Sequence, residues 1–326
     1  MPSQDRPVVG IIGLGLIGGS LALRLHAAGI EVRAYDVDAA TRQAAAARGI
    51  RLDAELDPLL TALPSGAVLF LATALPQAIE LMPQIAQRTN HAVTVSDVVS
   101  VKTAVLQAAR DAGIADRYVG AHPMAGTTHS GFLAAHAELL DGATWVVTLE
   151  QQTAVDRWLA VCDVALAAGG RVVPADAEWH DHATAWISHL PHVLAEILAS
   201  NVEPRSLAGA LAAGSYRDAT RVAGTRPELV EAMLVGNRRM LTEALEGFLD
   251  QLEQAAYGVR DGAVRSFVDR GHHNRTAWEA RRTAEAPVTT KTLRTDTAGL
   301  SRELLAIGAA GGFIVSHGNG ELTALT

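Results

Sequence analysis

Two candidate catalytic residues follow apolar runs in this chain of 326 residues. His122 lies in "GAHPMAGT" (Gly120 to Thr127), and Ser100 lies in "SDVVSVK" (Ser96 to Lys102). A histidine at the end of a strand can accept a proton near neutral pH, and Ser100 can hydrogen-bond either His122 or a substrate hydroxyl. A structural role, as a buried histidine that hydrogen-bonds to the backbone, explains the position of His122 as well as a catalytic role does. A helix N-cap is the more common role for such a serine.

A group of histidines raises the alternative of a metal site. "SHLPH" (Ser188 to His192) places His189 and His192 on one helix face, because they are three positions apart. His180 and His182 are close in sequence, but these two do not share a helix face, and no glutamate or cysteine completes a ligand set. The sequence therefore predicts no metal, and the two motif histidines are candidates for substrate binding.

A pair of arginines could bind a carboxylate. "GSYRDATR" (Gly214 to Arg221) contains Arg217 and Arg221 at positions i and i+4, on one helix face. Two guanidinium groups in that arrangement suit a carboxylate ligand, which they bind by charge-assisted hydrogen bonds. Taken alone, the pair is better explained as surface arginines, one of them tied to Asp218.

A glycine-rich turn indicates a cofactor. Val8 to Ile12 has the apolar, β-branched pattern of a buried parallel strand, and an amphipathic helix and a second strand follow. Gly13, Gly15 and Gly18 match G-x-G-x-x-G in that context, which lets a pyrophosphate approach the helix N-terminus. Asp36 ends the second strand and would bind the ribose hydroxyls, so NAD is favoured over NADP. The residues predicted to contact NAD are Gly13, Gly15, Leu16, Ile17, Gly18, Asp36, Ala72 and Thr73.

Composition narrows the class of protein. The net charge is −8, and no basic cluster or aromatic platform compensates for it, which argues against nucleic acid as a partner. No apolar run is long enough to span a bilayer, and residues 1 to 7 lack the apolar core of a signal peptide. We therefore expect a cytoplasmic protein that acts on a small molecule. Cys162, the one cysteine, lies in an apolar helical pattern that is typical of a core residue rather than a nucleophile.

Strands and helices alternate over the first half of the chain, which predicts an α/β fold with a doubly wound, Rossmann-like sheet. The predicted strands after the glycine turn are Ala67 to Leu71, Ala92 to Ser96, Tyr118 to Ala121, Thr144 to Leu149 and Arg171 to Val173. Residues 1–177 are therefore predicted to form a dinucleotide-binding domain.

Helical patterns dominate from residue 178 to residue 280, where we predict a second, all-helical domain. The predicted helices are Ala183 to Ser200, Ser206 to Ala213, Pro227 to Val235 and Arg238 to Val259. Their apolar faces exceed what one short bundle can bury, which favours burial against a second subunit. Residues 281–326 include a "HGNGE" turn that is typical of a hairpin, and they predict a small C-terminal α+β appendage.

Five motifs together, in the order "GLGLIGGS", "SDVVSVK", "HPMAGT", "SHLPH" and "GSYRDATR", resemble the prephenate dehydrogenase family of tyrosine biosynthesis, which includes arogenate and cyclohexadienyl dehydrogenases. The resemblance covers about residues 8–270. It implies a Rossmann-like domain joined to a helical domain through which two subunits dimerise, with the active site in the cleft between domains. The implied reaction is the NAD-dependent oxidative decarboxylation of prephenate to 4-hydroxyphenylpyruvate, and conversion of arogenate to tyrosine is the alternative.

The resemblance also implies residue roles. His122 matches the histidine that takes the proton of the ring hydroxyl as hydride leaves for NAD, and Ser100 matches the serine that supports it. His192 matches a substrate-contacting residue, and Arg221 matches the arginine that grips a substrate carboxylate, with Asp218 near it. The remaining predicted substrate contacts are Thr127, Thr128, His189 and Arg217.

Two departures and two other classes of protein bear on the choice of function. Some family members have a glutamate after "HPxAGT" and a tryptophan nine residues beyond the arginine, where this chain has Thr128 and Val230. The resemblance implies that both positions lie near the part of the site that senses the substrate side chain, so prephenate is favoured but arogenate stays open. A β-hydroxyacid dehydrogenase would use a lysine in the helical domain, and Trp179 to Arg270 contains none. A non-enzymatic dinucleotide sensor would keep the glycines without needing the two histidines and the arginine named above.

Overall fold

A six-stranded parallel sheet forms the first part of the molecule. The computed structural model describes residues 7–127, 129–282 and 289–326. The strands of this sheet are β1 (Val9–Ile12), β2 (Val32–Tyr35), β3 (Arg51–Leu52), β4 (Val68–Leu71), β5 (Thr94–Asp97) and β6 (Tyr118–Val119). The helices between them are α1 (Leu16–Ala27), α2 (Ala39–Ala47), α3 (Leu56–Thr61), α4 (Leu75–Arg88) and α5 (Thr103–Asp111). The strand order β3-β2-β1-β4-β5-β6 confirms the predicted Rossmann-like sheet, and it reverses between β1 and β4, where such sheets bind ligands.

A second sheet begins one residue after β6 ends. Its first elements are β7 (Ala121–Pro123), β8 (Thr144–Thr148), α6 (Val155–Ala167) and β9 (Arg171–Ala175). β7 pairs with β8 antiparallel, and β8 pairs with β9 parallel. The alternation of strands and helices in the sequence predicts a single sheet, whereas the structure has two. The apolar pattern of a strand indicates that it is buried, but it does not indicate which other strand it pairs with. Cys162 is fully buried in α6, as its apolar surroundings in the sequence predict.

The helical region carries a π-helical turn where the sequence predicts one uninterrupted helix. The helices are α7 (Ala177–Thr184), α8 (Leu190–Ser200), α9 (Leu207–Leu211), α10 (Gly214–Thr220), α11 (Pro227–Gly236), α12 (Arg238–Asp261) and α13 (Arg265–Arg282). The π-helical turn (Ala185–His189) joins α7 to α8, and Pro191, which has no N–H to give to the preceding turn, favours it. Within the described ranges, no helix is both long and apolar enough to cross a membrane. Several apolar side chains of this region are more than half exposed on the single chain, namely Ile197, Leu207, Leu211, Leu249 and Leu252.

The C-terminal residues extend the second sheet. They form β10 (Thr290–Arg294), α14 (Leu300–Ala309), β11 (Phe313–Gly318) and β12 (Glu321–Leu325). β11 pairs with β9, so the complete order is β10-β12-β11-β9-β8-β7. The predicted "HGNGE" hairpin is confirmed: Asn319 and Gly320 have φ angles of 53° and 73°, both positive, as a tight two-residue turn requires. His317 Nδ1 lies 2.7 Å from Asp163 of α6, which ties the hairpin to the first part of the chain.

Gly308 allows α14 to pack closely on β9. A Cβ at this position would lie 1.7 Å from the carbonyl oxygen of Pro174, so the helix would have to move. We expect Gly308→Ala to lower the free energy of unfolding by about 3 kcal/mol, the upper end of the usual cost of overpacking, as measured by urea denaturation. Gly318→Ala is the matched control, because a Cβ there meets no atom within 4 Å. Equal stability of the two variants would contradict this close packing.

Candidate active site

The glycine turn between β1 and α1 forms a cradle with room for a phosphate. Gly13 has a φ of +95°, and a Cβ there would lie 2.7 Å from the carbonyl oxygen of Ala72. A Cβ on Gly18 would lie 2.1 Å from the carbonyl oxygen of Gly13, so only glycine fits at these two positions. A Cβ on Gly15 would meet no atom within 4 Å, which leaves the N-terminus of α1 open to an anion. The turn therefore fits the pyrophosphate of a dinucleotide.

Asp36 is held beside this cradle. One carboxylate oxygen accepts the N–H of Leu14 at 2.6 Å, and the other accepts the N–H of Asp38 at 2.9 Å. The carboxylate lines a mostly apolar cavity of about 480 Å³, to which Tyr35 and Thr73 also contribute. An apolar cavity with a fixed acidic acceptor suits an adenosine, whose ribose hydroxyls can donate to the carboxylate.

A second cavity, of about 340 Å³ and termed the cleft, lies where the strand ends meet the helical region. Thr73 lines both cavities, so the cleft adjoins the cofactor site. Residues from five parts of the chain converge on it, namely Ile17 of α1, Ser100 after β5, His122 of β7, His192 of α8 and Val230 of α11. The structure therefore brings two predicted site histidines and the predicted serine together beside the glycine turn.

A chain of hydrogen bonds fixes the tautomer of His122. His122 Nδ1 lies 2.9 Å from His180 Nε2, and His180 Nδ1 lies 2.7 Å from the carboxylate of Asp181. An ionised carboxylate only accepts, so His180 Nδ1 carries a hydrogen and His180 Nε2 accepts one from His122 Nδ1. His122 Nε2 is then left with a free lone pair. A neutral imidazole in this tautomer is the form that a general base requires.

Asp181 is itself held on three sides. Its Oδ1 accepts the N–H of Lys102 at 2.8 Å, and its Oδ2 accepts the N–H of Thr103 at 2.9 Å and the hydroxyl of Thr103 at 2.5 Å. Its backbone carbonyl accepts Asn237 Nδ2 at 2.7 Å, which ties α7 to the start of α12. Burial alone would raise the pKa of Asp181, but the hydrogen bonds from His180 and Thr103 lower it below its ordinary value. The carboxylate therefore stays ionised near neutral pH.

The histidines of this region are kept neutral. The pKa of His122 lies well below its ordinary value of 6.5, chiefly because burial disfavours the charged ring and further because His180 and His189, when protonated, and the Lys102 ammonium repel it. Burial also lowers the pKa of His180, and it lowers that of His189 to about 4. The expectation that His122 titrates near neutral pH is therefore wrong, since this ring is already neutral throughout that range.

The arginine motif lies outside the cleft lining. Arg221 is exposed, and it begins a short helical turn (Arg221–Gly224) that packs against α8, the helix of His192. Burial lowers the pKa of His192, Glu196 opposes that effect, and the charge of Arg221 lowers the pKa further. Arg217 and Asp218 are both exposed, with Nε of the arginine 3.4 Å from the carboxylate. The structure thus places Arg221 near the cleft residue His192. Arg217 forms the surface pair with Asp218 that the sequence alone suggested.

Two other predicted substrate contacts, His189 and Thr127, do not line the cleft. His189 is fully buried, and its Nδ1 faces Asn237 Nδ2 at 2.9 Å. Thr127 is exposed and lines a separate, open depression. Thr128 lies outside the described residues. His189 and Thr127 therefore contribute nothing to the surface of the cleft.

His180 and Asp181 are the site residues that sequence patterns fail to identify. His180 and His122 are 58 positions apart, and no local spacing reports such a contact. Ser100 lines the cleft together with His122, and its predicted support of that ring stays a prediction, because the structure shows only the bond of His122 Nδ1 to His180. In the part of the chain that the structure describes, no group of three or more His, Cys, Asp or Glu residues is placed to hold a metal ion.

The parallel sheet, the glycine cradle with Asp36 and the adjoining cleft define a dinucleotide-dependent dehydrogenase. Residues 20–174 match the family model of the prephenate dehydrogenase nucleotide-binding domain, and residues 176–270 match that of the prephenate dehydrogenase dimerization domain. The chain therefore belongs to the prephenate dehydrogenase family, and it is an NAD-dependent oxidoreductase.

Individual relatives agree with this family. A prephenate dehydrogenase from Lactococcus lactis is 30% identical over 280 residues, which cover 82% of this chain and 77% of the relative. A structure from Corynebacterium glutamicum, provisionally assigned as a prephenate dehydrogenase, has 36% identity and a TM-score of 0.84, and the match covers 94% of this chain and 97% of that chain. The arogenate dehydrogenase of Synechocystis has 28% identity and a TM-score of 0.72, over 83% of this chain and 99% of that chain. The names of these relatives all describe a dehydrogenase, but they name two different substrates, prephenate and arogenate.

Proposed function

We propose that this protein catalyses the NAD-dependent oxidative decarboxylation of prephenate to 4-hydroxyphenylpyruvate. The main support is the chain from Asp181 through His180 to His122, which leaves Nε2 of a cleft histidine unprotonated. Oxidation of a ring hydroxyl needs a proton acceptor beside the bound nicotinamide, and the cleft adjoins the glycine cradle. No other residue of the cleft lining in the described ranges combines a basic atom with such support.

His122 acts as the proton acceptor in this mechanism. NAD bound at the glycine turn would supply the hydride acceptor for C4 of the substrate ring. His122 Nε2 takes the proton of the C4 hydroxyl, while the ring carboxylate leaves as CO2 and its bonding electrons complete the aromatic ring. The proton then returns from His122 to the phenolate oxygen, which gives the hydroxyl of the product and restores the neutral imidazole. The charge that forms on the imidazole is stabilised through His180 by the carboxylate of Asp181. Aromatisation supplies much of the driving force, so the protein has chiefly to orient the substrate and hold this proton.

Substrate carboxylates are assigned to the helical side of the cleft. Prephenate carries two carboxylates, and Arg221 provides a cation close to the cleft residue His192. We propose that Arg221 binds one carboxylate and that His192 contacts the substrate from α8. Ser100, which follows β5, also lines the cleft. Thr127, His189, Arg217 and Asp218 were also predicted as substrate contacts, but they do not line the cleft and receive no contact in this assignment. Thr128 stays a prediction from the sequence.

The low pKa of His122 predicts a broad pH range for activity. His122 must be neutral to accept a proton, so activity is lost as pH falls through its pKa, which burial places well below 6.5. We expect kcat/KM to stay constant from about pH 8 to about pH 6 and to fall only in more acidic solution. Initial rates across pH measure this, with circular dichroism at each pH to check folding. A decline that begins above about pH 7 would contradict the assignment of the base.

The lining of the cleft favours prephenate over arogenate. Arogenate carries an ammonium where prephenate carries a keto group, and a desolvated ammonium needs an acidic partner. No carboxylate lines the cleft in the described ranges, and Val230 adds an apolar wall. We therefore expect kcat/KM for prephenate to exceed that for arogenate by at least about tenfold, and NAD to be preferred over NADP because of Asp36. The experiment compares reduction of each cofactor with each substrate, and a higher kcat/KM for arogenate would reverse the assignment.

We also propose that the protein acts as a cytoplasmic homodimer. The match to a dimerization domain over residues 176–270 and the exposed apolar side chains of α8, α9 and α12 support a second copy as the partner. The proposed domain limits are 1–177, 178–280 and 281–326, with the C-terminal strands attached to the sheet of β7, β8 and β9. Analytical ultracentrifugation tests the oligomeric state, and a monomer at micromolar concentration would contradict it.

A further inference from the structure

A fully buried ion pair lies close to His122 and has no part in the mechanism above. The side chains of Lys102 and Asp97 are both 0% exposed and are in direct contact. Moving two charges out of water costs several kcal/mol per ion, and an apolar pair of similar volume is often as stable or more stable. Stability alone therefore does not explain this pair, so its role has to be inferred from the contacts that it makes.

The ammonium of Lys102 holds the backbone that carries His122. Besides the carboxylate of Asp97, Nζ donates to the carbonyl oxygen of Ala121 at 2.6 Å. Ala121 directly precedes His122 in β7, so this hydrogen bond helps to set where the imidazole leaves the strand. The stem of the lysine also packs against this segment, since a Cβ on Gly120 would lie 3.1 Å from Lys102 Cδ.

Asp97 anchors the lysine to the first sheet. Asp97 ends β5, and its Oδ2 accepts the hydroxyl of Tyr118 in β6 at 2.5 Å. Its Oδ1 accepts the N–H of Val99 at 2.8 Å in addition to the ammonium. Because β5 and β6 belong to the parallel sheet and Ala121 belongs to the second sheet, the ion pair joins the two sheets at the residue before His122.

The backbone of Lys102 holds the other end of the histidine chain. Its N–H donates to Asp181 Oδ1 at 2.8 Å, and the same oxygen faces His180 Nδ1 at 2.7 Å. We propose that Lys102, anchored by Asp97, is a positioning residue for the reaction, which holds the strand of His122 with its side chain and the carboxylate of Asp181 with its N–H. The proposal rests on the proposed function for its effect on turnover, but its effect on the ring of His122 can be measured without turnover.

The charge of Lys102 adds a measurable consequence. The titratable groups that face His122 are His180 of α7, His189 of the π-helical turn and Lys102, and each of them lowers its pKa. Of these three, the ammonium acts as a cation against protonation of the imidazole, whereas the two rings are neutral near pH 7. Removing the ammonium should therefore raise the pKa of His122 toward its ordinary value.

The test uses three variants and two readouts. Lys102→Met removes the ammonium but keeps most of the stem, and the double variant Asp97→Asn with Lys102→Met avoids leaving a buried carboxylate without its partner. Lys291→Met is the matched control, because Lys291 is the other lysine of the chain and pairs with Glu303 on α14 at the surface. The readouts are kcat and KM from NADH formation, and the titration of the His122 ring followed by NMR of histidine-labelled protein.

We expect both Lys102 variants to lower kcat at least about tenfold with KM for NAD unchanged, since small displacements of a catalytic group can cost up to about 10²-fold. We also expect the pKa of His122 to rise in Lys102→Met and to stay constant in Lys291→Met. If both Lys102 variants keep the wild-type kcat and the wild-type titration of His122, or if neither variant folds, the ion pair is only structural and the proposal is overturned. If the wild-type protein forms no NADH while Lys102→Met still shifts the titration, the proposed function fails and the positioning of the ring stands.

Discussion

Replacing His122 by asparagine is expected to lower kcat by about 10²- to 10⁴-fold, the usual contribution of a general base. Asparagine is close to histidine in size and can still donate to His180 Nε2, but none of its atoms takes up a proton near neutral pH. The affinity for NAD should stay the same, because His122 lies on β7 and not in the glycine turn. Initial rates of NADH formation and equilibrium binding of NAD measure the two effects separately.

His182→Asn is the matched control for this substitution. His182 is an exposed histidine of α7, two positions from His180, and it should be replaceable at full rate. The residual kcat/KM of His122→Asn should not fall at acidic pH, because the variant lacks the group whose protonation causes that fall. A His122→Asn protein that keeps its kcat within about threefold of the wild type would remove this histidine from the mechanism.

Replacing Arg221 by alanine is expected to raise KM for prephenate with little change in kcat, since the carboxylate is bound equally in the ground state and the transition state. Loss of one partner from a buried charge pair costs about 2–5 kcal/mol. Because Arg221 is exposed in this structure, we expect the lower end, about 2 kcal/mol or roughly 30-fold in kcat/KM. Steady-state kinetics with varied prephenate at saturating NAD provide the measurement.

The control for Arg221 is another exposed arginine. Arg275 forms an ion pair with Glu279 on α13, and Arg275→Ala should leave KM for prephenate unchanged. A dinucleotide sensor without enzymatic activity would bind NAD equally in both variants and reduce none of it in the wild type. An unchanged KM in Arg221→Ala would reassign the carboxylate to another cation, with Arg217 next in line.

The cofactor half of the molecule could be predicted from the sequence because its signals are local. The spacing of Gly13, Gly15 and Gly18 is dictated by contacts within one turn, as the conflicts of a Cβ at Gly13 and Gly18 show. Which strands form the second sheet could not be predicted from such local signals. Val172 of β9 pairs with Ile314 of β11, and such a long-range partner leaves no mark on the periodicity of either strand.

The cleft could be predicted in part. His122 and His192 follow from motifs at a strand end and on a helix, and the structure brings both to one cavity. The support of His122 by His180 could not be predicted, because it depends on how α7 packs against β7. The π-helical turn was also missed, since its widened hydrogen bonding involves only five residues of ordinary helical pattern.

In the proposed reaction, the cleft couples reduction of NAD to decarboxylation of a cyclohexadienol acid through His122. The most direct measurement is the stoichiometry of products when purified protein is given NAD and prephenate, with NADH read by absorbance and 4-hydroxyphenylpyruvate identified by mass spectrometry. We predict equal amounts of NADH, 4-hydroxyphenylpyruvate and CO2 with the wild type. Bound NAD without any NADH formed from either prephenate or arogenate would contradict this proposal.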